Sequence, residues 1–583
     1  MKKYGGLFFV IIIATLIIGG YFLISPNFRQ KSSSVISTIE NTTSVATDQV
    51  LPISTVIVPH HDLMKDERAT YLKTIKESPK TVILASPNHF DSGKGDIITT
   101  TKDWTVAGGA IMADKDKINQ LLKSDLFSNE EVAFNGEHGI ANILDDIHAD
   151  FPSSKIIPII IRQNTARGKI TGLNTELNSV CGADCLLIAS IDCSHYQPGS
   201  LAQIHDDMTK RALNNMDEDL AWKSEVDSPQ SLLLSVLWAK SKSTTKFELN
   251  QNTNSGKLSG SRDTESTSYI LGDFAKGDAD TKVTDEFSFI FGGDMMYDRK
   301  VDYNFRGNDI YKIFDNFGDR TFWGTDLAFA NLEGPISATP IPADNSGSMV
   351  FNFPPTVPNL LKWLHINSVS LANNHSDNAG LTGYTNTVKV LTDAGITPVG
   401  HQTGYDSKST ARYQSGDVHV SLIAIDELAT NADITADIKT EKAKGARVII
   451  FPHWGTEYQT IHNSSQELLA HRWIDAGADM VIGSHPHVVE DAEVYKNKPI
   501  FYSLGNFVFD QTFSTETQRG LIVAGEFKGN DIKLVLLPTK EVNIQPQLLT
   551  GTEKDSFIAK YRAYLGQPVQ TGYGSDTITL SGK

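Results

Sequence analysis

Cysteine is almost absent from this sequence, whose 583 residues contain only three, at positions 181, 185 and 193. So sparse a set excludes a disulfide framework, and an odd number leaves at least one thiol unpaired within the chain. We expect Cys181 and Cys185 to be small apolar side chains beside a buried strand, with a shared metal ion as the alternative. No cysteine lies near residue 25, which excludes a lipoprotein anchor.

Positive charge is also in deficit. The sequence has 52 Lys and Arg against 69 Asp and Glu, a formal net charge of −17. This balance argues against a protein that binds the phosphate backbone of nucleic acids. The hydrophobic content of 40% and the charged content of 21% are ordinary for a globular protein. The length predicts three or four domains of about 150 residues, or two larger ones.

One uncharged, strongly apolar run occupies residues 5–24. About 20 helical residues span roughly 30 Å, the thickness of the bilayer hydrocarbon. Because Lys2 and Lys3 precede the run, the positive-inside rule places the amino terminus in the cytoplasm. We therefore expect an uncleaved transmembrane signal anchor at residues 1–28, with a cleaved signal peptide as the alternative. The bulk of the chain is then extracytoplasmic, on a flexible Ser, Thr and Asn-rich stalk at residues 29–50.

A first soluble unit is predicted at residues 51–274, with an α/β pattern. Short β-branched runs predict strands at 54–58, 81–85, 156–161 and 186–191, and helices are predicted at 63–76 and 139–147. Four His-bearing motifs are present, at least three of them at predicted strand ends: Pro59-His60-His61-Asp62, Ser86-Pro87-Asn88-His89, Glu137-His138-Gly139 and Asp192-Cys193-Ser194-His195. Because α/β sheets bind ligands at the carboxyl ends of their strands, the motifs indicate one pocket.

These motifs resemble the Memo-like family, the B component of the AmmeMemoRadiSam system, which is related to the class III extradiol dioxygenases. The resemblance implies that His60 and His89 bind a single metal ion, that Asp192 lines the same pocket, and that His195 is an acid/base residue. In the dioxygenases a carboxylate completes the metal site, and here Asp227 is a weak candidate for it. A pocket retained without turnover is the alternative.

A linker is predicted at residues 275–286 and a second α/β unit at 287–545, followed by a tail at 546–583 without a usable pattern. Six predicted strands of this unit end in polar loops: Gly292-Gly293-Asp294, Asn331-Leu332-Glu333-Gly334, Ala372-Asn373-Asn374-His375, Pro452-His453-Trp454-Gly455-Thr456-Glu457, Gly483-Ser484-His485-Pro486-His487 and Leu504-Gly505-Asn506-Phe507. A helix at 464–476 is predicted to begin with a capping box of Ser464 and Glu467.

The carboxylates, amides and imidazoles of these loops suit two adjacent divalent cations. Such cations activate water and stabilise the charge that develops in displacement at phosphorus or at a carbonyl carbon. Any one of the motifs alone is common turn chemistry, and only their ordered series is specific. For Asn331 and Asn373 we prefer the interpretation that they are loop residues capping a strand or a helix rather than ligands.

The ordered series resembles the CapA family of capsule or poly-γ-glutamate biosynthesis proteins, whose αββα fold is that of the calcineurin-like metallophosphoesterases. The resemblance implies one or two ions of Mn, Fe or Zn, with ligands at Asp294, Glu333, Asn374, His453, His485 and His487. It implies that His375 is the general acid, that Glu457 with His453 alternatively orients the substrate, and that Asn506 supports the site. One departure is plain, because the phosphoesterases have Asp-x-His where this sequence has Asp294-Met295-Met296, a form that CapA proteins share.

These expectations describe a membrane-anchored capsule biosynthesis protein with a hydrolase-like or transferase-like metal site, whose partner is an envelope polymer or its synthase complex. A metallophosphoesterase acting on an envelope phosphate ester is one alternative, although Arg299, Arg306 and Arg519 are too dispersed in sequence to indicate a phosphate-binding cluster. A non-catalytic anchored assembly factor with vestigial pockets is the other.

Overall fold

The computed structural model describes residues 53–582, except for 183, 261–264, 278–281 and 343–346. The predicted membrane anchor and stalk lie outside the described residues. Within the described part, none of the helices is long and apolar enough to cross a membrane.

The first domain is built on one mixed sheet. Its strands are β1 (Ile53–Val58), β2 (Thr81–Pro87), β3 (Ile97–Thr99), a separate hairpin of β4 (Trp104–Val106) and β5 (Gly109–Ile111), β6 (Ser128–Asn129), β7 (Lys155–Ile161), β8 (Cys185–Ser190), β9 (Lys246–Asn254) and β10 (Ser268–Ala275). The sheet order is β6-β3-β7-β2-β8-β1-β10-β9. Strands β7, β2, β8 and β1 are mutually parallel, so their carboxyl ends share one edge.

Helices cover both faces of this sheet. They are α1 (Lys65–Leu72), α2 (Lys115–Leu121), α3 (His138–Asp150), α4 (Arg167–Val180), α5 (Gly199–Asn214), α6 (Glu218–Lys223), α7 (Pro229–Lys242) and α8 (Ser255–Ser259). Every residue of β2 is buried, because apolar clusters lie on each side of it, one with α3 and one with α4 and α7. The β-branched runs of the sequence are therefore buried on both faces, as central parallel strands are.

The second domain contains two sheets. Its strands are β11 (Glu286–Met295), β12 (Leu327–Leu332), β13 (Ser368–Ser370), β14 (Thr397–Val399), β15 (Thr410–Ser415), β16 (Val418–Asp426), β17 (Arg447–His453), β18 (Met480–Ile482), β19 (Ala492–Tyr495), β20 (Lys498–Phe501), β21 (Asn506–Val508), β22 (Arg519–Lys528), β23 (Asp531–Val542), β24 (Gln545–Leu548) and β25 (Thr577–Leu580). One sheet has the order β14-β13-β12-β11-β22-β23-β24, with β21 on β11 and β25 on β23, and the other has the order β15-β16-β17-β18-β20-β19.

The two sheets stack face to face between helices. Alternate residues of β11, Phe287, Phe289 and Phe291, pack with residues of β16 and β17 in the core between the sheets. The domain's helices are α9 (Arg299–Asn304), α10 (Val357–Trp363), α11 (Gly380–Asp393), α12 (Thr435–Ala443), α13 (Ser464–Ala476) and α14 (Gly551–Tyr564). Helices α10 and α11 cover the outer face of one sheet, and α12 and α13 that of the other. The layers are therefore helix, sheet, sheet and helix.

The two domains share core and polar contacts. Leu201 and Ile204 of α5 belong to the apolar cluster of the second domain. Arg211, on the same helix, donates to Asp326 Oδ2 at 2.7 Å across the domain boundary. The first domain therefore packs against the second through α5.

Three details differ from the sequence-based expectations. Helix α13 has the predicted bounds, but its capping box consists of Asn463 and Gln466 rather than Ser464 and Glu467, because the cap is the residue before the first helical one. Cys181 and Cys185 are buried, as expected, but they form a disulfide, and Cys193 is the buried free cysteine. The tail is part of the fold.

The tail completes the sheet and the core of the second domain. Strand β25 pairs with β23, and helix α14 contributes Ile558, Tyr561 and Leu565 to the core between the sheets. The tail is polar and rich in Gly, Ser and Thr near its end. Its few apolar positions therefore form no pattern that predicts a core helix or strand.

The core role of α14 predicts the effect of truncating one side chain. Ile558 is 1% exposed, so Ile558→Ala should lower the free energy of unfolding by about 2 to 5 kcal/mol. Ser556→Ala, on the exposed face of the same helix, should change it by less than about 0.5 kcal/mol. Denaturant unfolding of both variants measures the difference, and equal small effects would show that the tail does not contribute to the core.

The disulfide predicts a thiol count. The denatured, unreduced full chain should react with a thiol reagent at one position, Cys193, and at all three cysteines after reduction. The native protein should not react, because Cys193 is 1% exposed. Three reactive thiols without reduction would contradict the disulfide.

Candidate metal sites

Three buried donors meet where strands of the second domain end. Asp294 lies near the end of β11, Glu333 follows β12, and His487 lies in the loop after β18. Their ligand atoms are within 4.8 Å of one another. The two imidazole nitrogens of His487 lie near different carboxylates. Nδ1 is 3.5 Å from Asp294 Oδ2, and Nε2 is 3.5 Å from Glu333 Oε1.

His487 also belongs to a second donor group. Glu457, His485 and His487 offer ligand atoms within 4.8 Å of one another. Glu457, which the sequence assigned to substrate orientation, therefore lies where a ligand would. The two groups adjoin at His487, which binds one cation through a single nitrogen, and their remaining donors suit a second cation beside it.

Asn506 determines which nitrogen of His487 is available to a cation. The Asn506 amide Nδ2 donates to the backbone carbonyls of His487 at 3.3 Å and Thr517 at 3.0 Å. This orients Oδ1 toward His487 Nδ1, at 3.0 Å. An acceptor at Nδ1 keeps the proton there and leaves Nε2 as the ligand atom, a common arrangement around metal-bound histidines.

His453 and Asn374 extend the same site. His453 Nε2 lies 2.9 Å from Asn374 Oδ1, and the ring centroids of His453 and His485 are 4.8 Å apart. Asn331 connects them to the carboxylates, because its Nδ2 lies 2.8 Å from Asp294 Oδ1 and 3.5 Å from His453 Nδ1. The structure thus brings all six sequence-predicted ligands of this domain together.

Two asparagines expected to be loop caps belong to this network. Asn331 donates to Asp294 and also to Glu333 Oε2 at 3.2 Å. Asn373 donates to Asn331 Oδ1 at 3.0 Å and accepts from the His375 backbone N–H at 3.1 Å. Asn373 therefore caps its loop as expected, and the amide groups of both residues also join separate loops that only the folded chain brings together.

The backbone around the two loop histidines is strained. His485 and His487 have positive φ values of 99° and 57°, which are uncommon for residues other than glycine and concentrate at functional sites. Gly483, before them, permits this path, because a Cβ atom there would lie 2.1 Å from the carbonyl oxygen of Tyr502. The turn therefore directs both imidazoles into the site.

The electrostatics of the site fit a cation. Burial raises the pKa of Glu333 well above its ordinary value, and burial lowers the pKa of His485 to about 4. Burial opposes a charge on His487 too, but Glu333 and Asp294 outweigh it and raise its pKa to about 9. Glu333 Oε1 and His485 Nδ1 are buried without a hydrogen-bond partner among the described residues. Divalent cations at the two donor groups would satisfy these atoms and replace the proton of His487.

His375 lies beside the ligands and outside the donor groups found among the described residues. Its ring stacks on Phe351 with centroids 4.2 Å apart, and its Nδ1 lies 2.9 Å from Asn378 Oδ1. Burial lowers the pKa of His375, which favours the neutral imidazole. Its Nε2 is the atom left to exchange a proton.

Sequence reasoning missed Arg299, which the fold places at this site. Its guanidinium lies over the rings of Phe351, at 5.0 Å, and Phe509, at 5.5 Å, and Phe509 in turn lies 4.8 Å from His487. Arg299 is 7% exposed and forms an ion pair with Asp510.

Met296, which stands where the phosphoesterases have a histidine, belongs to the apolar core. Its sulfur accepts a hydrogen bond from the Asp298 backbone N–H at 3.0 Å.

The first domain has its own cluster of donors at the carboxyl edge of its sheet. His60, His89 and His138 form one group and His60, Asp192 and Asp227 another, each with ligand atoms within 4.8 Å. His60 Nε2 lies 3.4 Å from Asp192 Oδ2 and 3.3 Å from Asp227 Oδ2. The two predicted ligands, His60 and His89, therefore lie together.

Asp227 and His138 are the additions to this pocket. Asp227, a weak candidate from the sequence, has its Oδ2 3.7 Å from His89 Nε2 as well. His138 begins α3 and lies with its ring centroid 3.8 Å from that of His89. The Glu137-His138-Gly139 motif was among those predicted to share the pocket, but His138 was not among the predicted ligands. The Glu137 carboxylate lies 2.6 Å from His89 Nδ1 and orients that ring.

Charge and burial in this pocket also suit a cation. Burial lowers the pKa of His60 to about 4, and burial beside Asp227 raises that of Asp192 to about 7. Burial opposes a charge on His89, but Asp227 and Glu137 outweigh it and raise its pKa to about 9. His195, predicted as an acid/base residue, is held through its backbone N–H by Glu225 Oε2 at 2.9 Å.

Comparisons with known proteins match each domain separately. The family model "Bacterial capsule synthesis protein PGA_cap" matches residues 288–511, and the model "Memo-like protein" matches residues 27–270.

Curated relatives agree with both matches. The "Capsule biosynthesis protein CapA" of Bacillus anthracis is 33% identical over 30% of this chain and 47% of its own length, so the chain spans about half of that relative. The "PGA biosynthesis protein CapA" of Bacillus subtilis is 29% identical over 42% of this chain and 69% of its own. A "MEMO1 family protein" of Caldivirga maquilingensis is 24% identical over 36% of this chain and 78% of its own length.

A solved structure of an uncharacterized Escherichia coli K12 protein matches at 10% identity and a TM-score of 0.29, over 37% of this chain and 99% of that one. This score is too low to support a structural argument. The chain thus resembles the Memo-like family over residues 27–270 and the bacterial capsule synthesis family over residues 288–511.

Proposed function

We propose that the second domain is a metal-dependent hydrolase or transferase that acts on an envelope polymer of the poly-γ-glutamate type. The convergence of Asp294, Glu333 and His487 with Glu457 and His485 carries this proposal. Buried carboxylates beside buried imidazoles are costly unless a cation or proton compensates them. The "PGA biosynthesis" name of a relative supports the substrate class.

The chemistry follows from the donors and their neighbours. Bound divalent cations would supply Lewis-acid activation of water and of the scissile carbonyl. His375 exchanges a proton with the leaving group through Nε2, while Asn378 holds its Nδ1. Arg299 pairs with Asp510 and packs against Phe351 and Phe509, the rings that lie beside His375 and His487.

A phosphate ester is the second candidate substrate, and the pair of adjoining donor groups is the observation that favours it. Two neighbouring cations stabilise the attacking and leaving oxygens of a displacement at phosphorus. The two candidates therefore share the cations and differ in the bond that is broken.

We also propose that the chain is anchored in the cell membrane by residues 1–28, with both domains outside it. The Cys181 to Cys185 disulfide supports this placement, because disulfides persist in oxidising compartments outside the cytoplasm. A polymer or its synthase complex in the envelope is then the accessible partner. A relative named "polyglutamine synthesis accessory protein" is compatible with such a complex.

Metal content tests the site. Elemental mass spectrometry of the full chain after dialysis against Mn²⁺ should find bound metal. The double substitution His485→Ala/His487→Ala should remove the metal bound by the second domain. The double substitution His60→Ala/His89→Ala should remove only the metal bound by the first domain. The exposed His419→Ala should change nothing. If the wild-type chain retains no metal, the metal-dependent proposal fails.

A single substitution tests the orienting role of Asn506. Asn506→Ala removes the acceptor that fixes the Nδ1 proton of His487, so the second domain should bind Mn²⁺ about 10- to 100-fold more weakly. Isothermal titration of the His60→Ala/His89→Ala chain with and without this change gives the ratio. An unchanged affinity would contradict the role.

Activity tests the proton transfer. The full chain with Mn²⁺ is incubated with γ-glutamyl oligomers and, separately, with a phosphomonoester, and new amino groups or free phosphate are measured. His375→Gln should lower the rate on the true substrate about 10²- to 10⁴-fold at unchanged metal content, while His419→Gln should not. Metal binding without turnover of either substrate would favour an assembly factor.

A further inference from the structure

One loop of the second domain reaches the donor pocket of the first. Arg320 Nη1 donates to Glu225 Oε1 at 2.7 Å and to the Val226 carbonyl oxygen at 3.2 Å. Glu225 is fully buried, and Asp227, a donor of the pocket, is two residues further along the chain. The contact therefore holds the segment that presents Asp227.

The same loop holds a second segment of the pocket. Thr321 Oγ1 lies 3.1 Å from Gln197 Oε1, and Gln197 Nε2 donates to the His195 carbonyl oxygen at 3.2 Å. Both Thr321 and Gln197 are buried. The second domain thus contacts the segment that carries Asp192 and His195.

The two held segments support each other. Asp192 N–H donates to Asp227 Oδ2 at 3.1 Å, and Asp227 N–H donates to the Asp192 carbonyl oxygen at 3.1 Å. His195 N–H donates to Glu225 Oε2 at 2.9 Å. The position of Asp227, and with it the spacing to His60, depends on this pair of segments.

The loop itself is rigidly placed. The Arg320 guanidinium lies 5.2 Å from the Trp323 ring centroid, and Trp323 stacks on His365 at 3.6 Å. Gly324 has a φ of +59°, and a Cβ atom there would lie 3.0 Å from Glu225 Cβ. The close approach leaves the loop little freedom to move relative to Glu225.

We propose that Arg320 and Thr321 are positioning residues of the first domain's donor pocket, so that the second domain sets the cation affinity of the site formed by His60, His89 and Asp227. This inference rests on the first pocket binding a divalent cation. Arg320 contacts Glu225 and Val226, and Thr321 contacts Gln197, so both act through the segments that carry the donors. The arrangement also gives a physical reason for the two domains to be joined in one chain.

Two variants of the full chain test the proposal, each in a His487→Ala background that weakens the second-domain site. Arg320→Lys keeps the positive charge near Glu225 but cannot reach both Glu225 and Val226 with one planar group. Thr321→Val removes only the hydrogen bond to Gln197. Lys533→Gln is the control, because it breaks another contact between the domains, 3.4 Å from Lys533 Nζ to Asp207 Oδ2, away from the pocket.

Co²⁺ is the probe, and its visible absorption reports the ligand geometry. Arg320→Lys and Thr321→Val should weaken Co²⁺ binding by about 10- to 100-fold and alter the spectrum, while Lys533→Gln should leave both unchanged. Hydrogen exchange of the metal-free chains should show faster exchange in segments 191–198 and 224–228 in the first two variants only.

Two results overturn the proposal. Unchanged Co²⁺ affinity and exchange in Arg320→Lys, or equal weakening in Lys533→Gln, would show that the contact merely joins the domains. Failure of the parent chain to bind Co²⁺ through His60 would refute the cation site of the first domain on which the proposal rests. That outcome leaves the second-domain function intact, because its metal content is measured separately.

Discussion

The burial of Asp294 and Glu333 is the constraint on which the second domain depends. Both carboxylates are fully buried, and an uncompensated buried charge is expensive. The loops around them each supply a compensating group, such as the Asn331 amide, the His487 ring and the His485 backbone N–H. The strained turn at His485 and His487 is maintained because it brings these partners to the carboxylates.

Two domains with their own donor clusters are joined by more than a linker. Helix α5 places Leu201 and Ile204 in the core of the second domain. In the opposite direction, Arg320 of the second domain donates a hydrogen bond to Glu225 of the first. Each domain therefore supplies residues that the other needs for its packing or its pocket. The contact at Glu225 links the second domain to the pocket of the first.

The donor loops could be predicted from the sequence because each follows a short apolar run. That pattern identifies a buried strand and the polar residues at its end, as with Asp294 after Phe287 to Phe291. Asp227 was only a weak candidate because Val226 pairs with Cys193 in an isolated bridge rather than in a strand. Arg299 reaches the site through a backbone with a φ of 51°, which local patterns do not indicate. The tail pairs with β23 across a long separation in sequence.

The most direct test of the donor convergence is anomalous X-ray diffraction from crystals of the full chain grown with Mn²⁺. An anomalous peak is expected between Asp294, Glu333 and His487, and a second one toward Glu457 and His485 if both groups are filled. A well-ordered site at saturating Mn²⁺ without an anomalous peak, with His487 still between the two carboxylates, would contradict the proposed metal site.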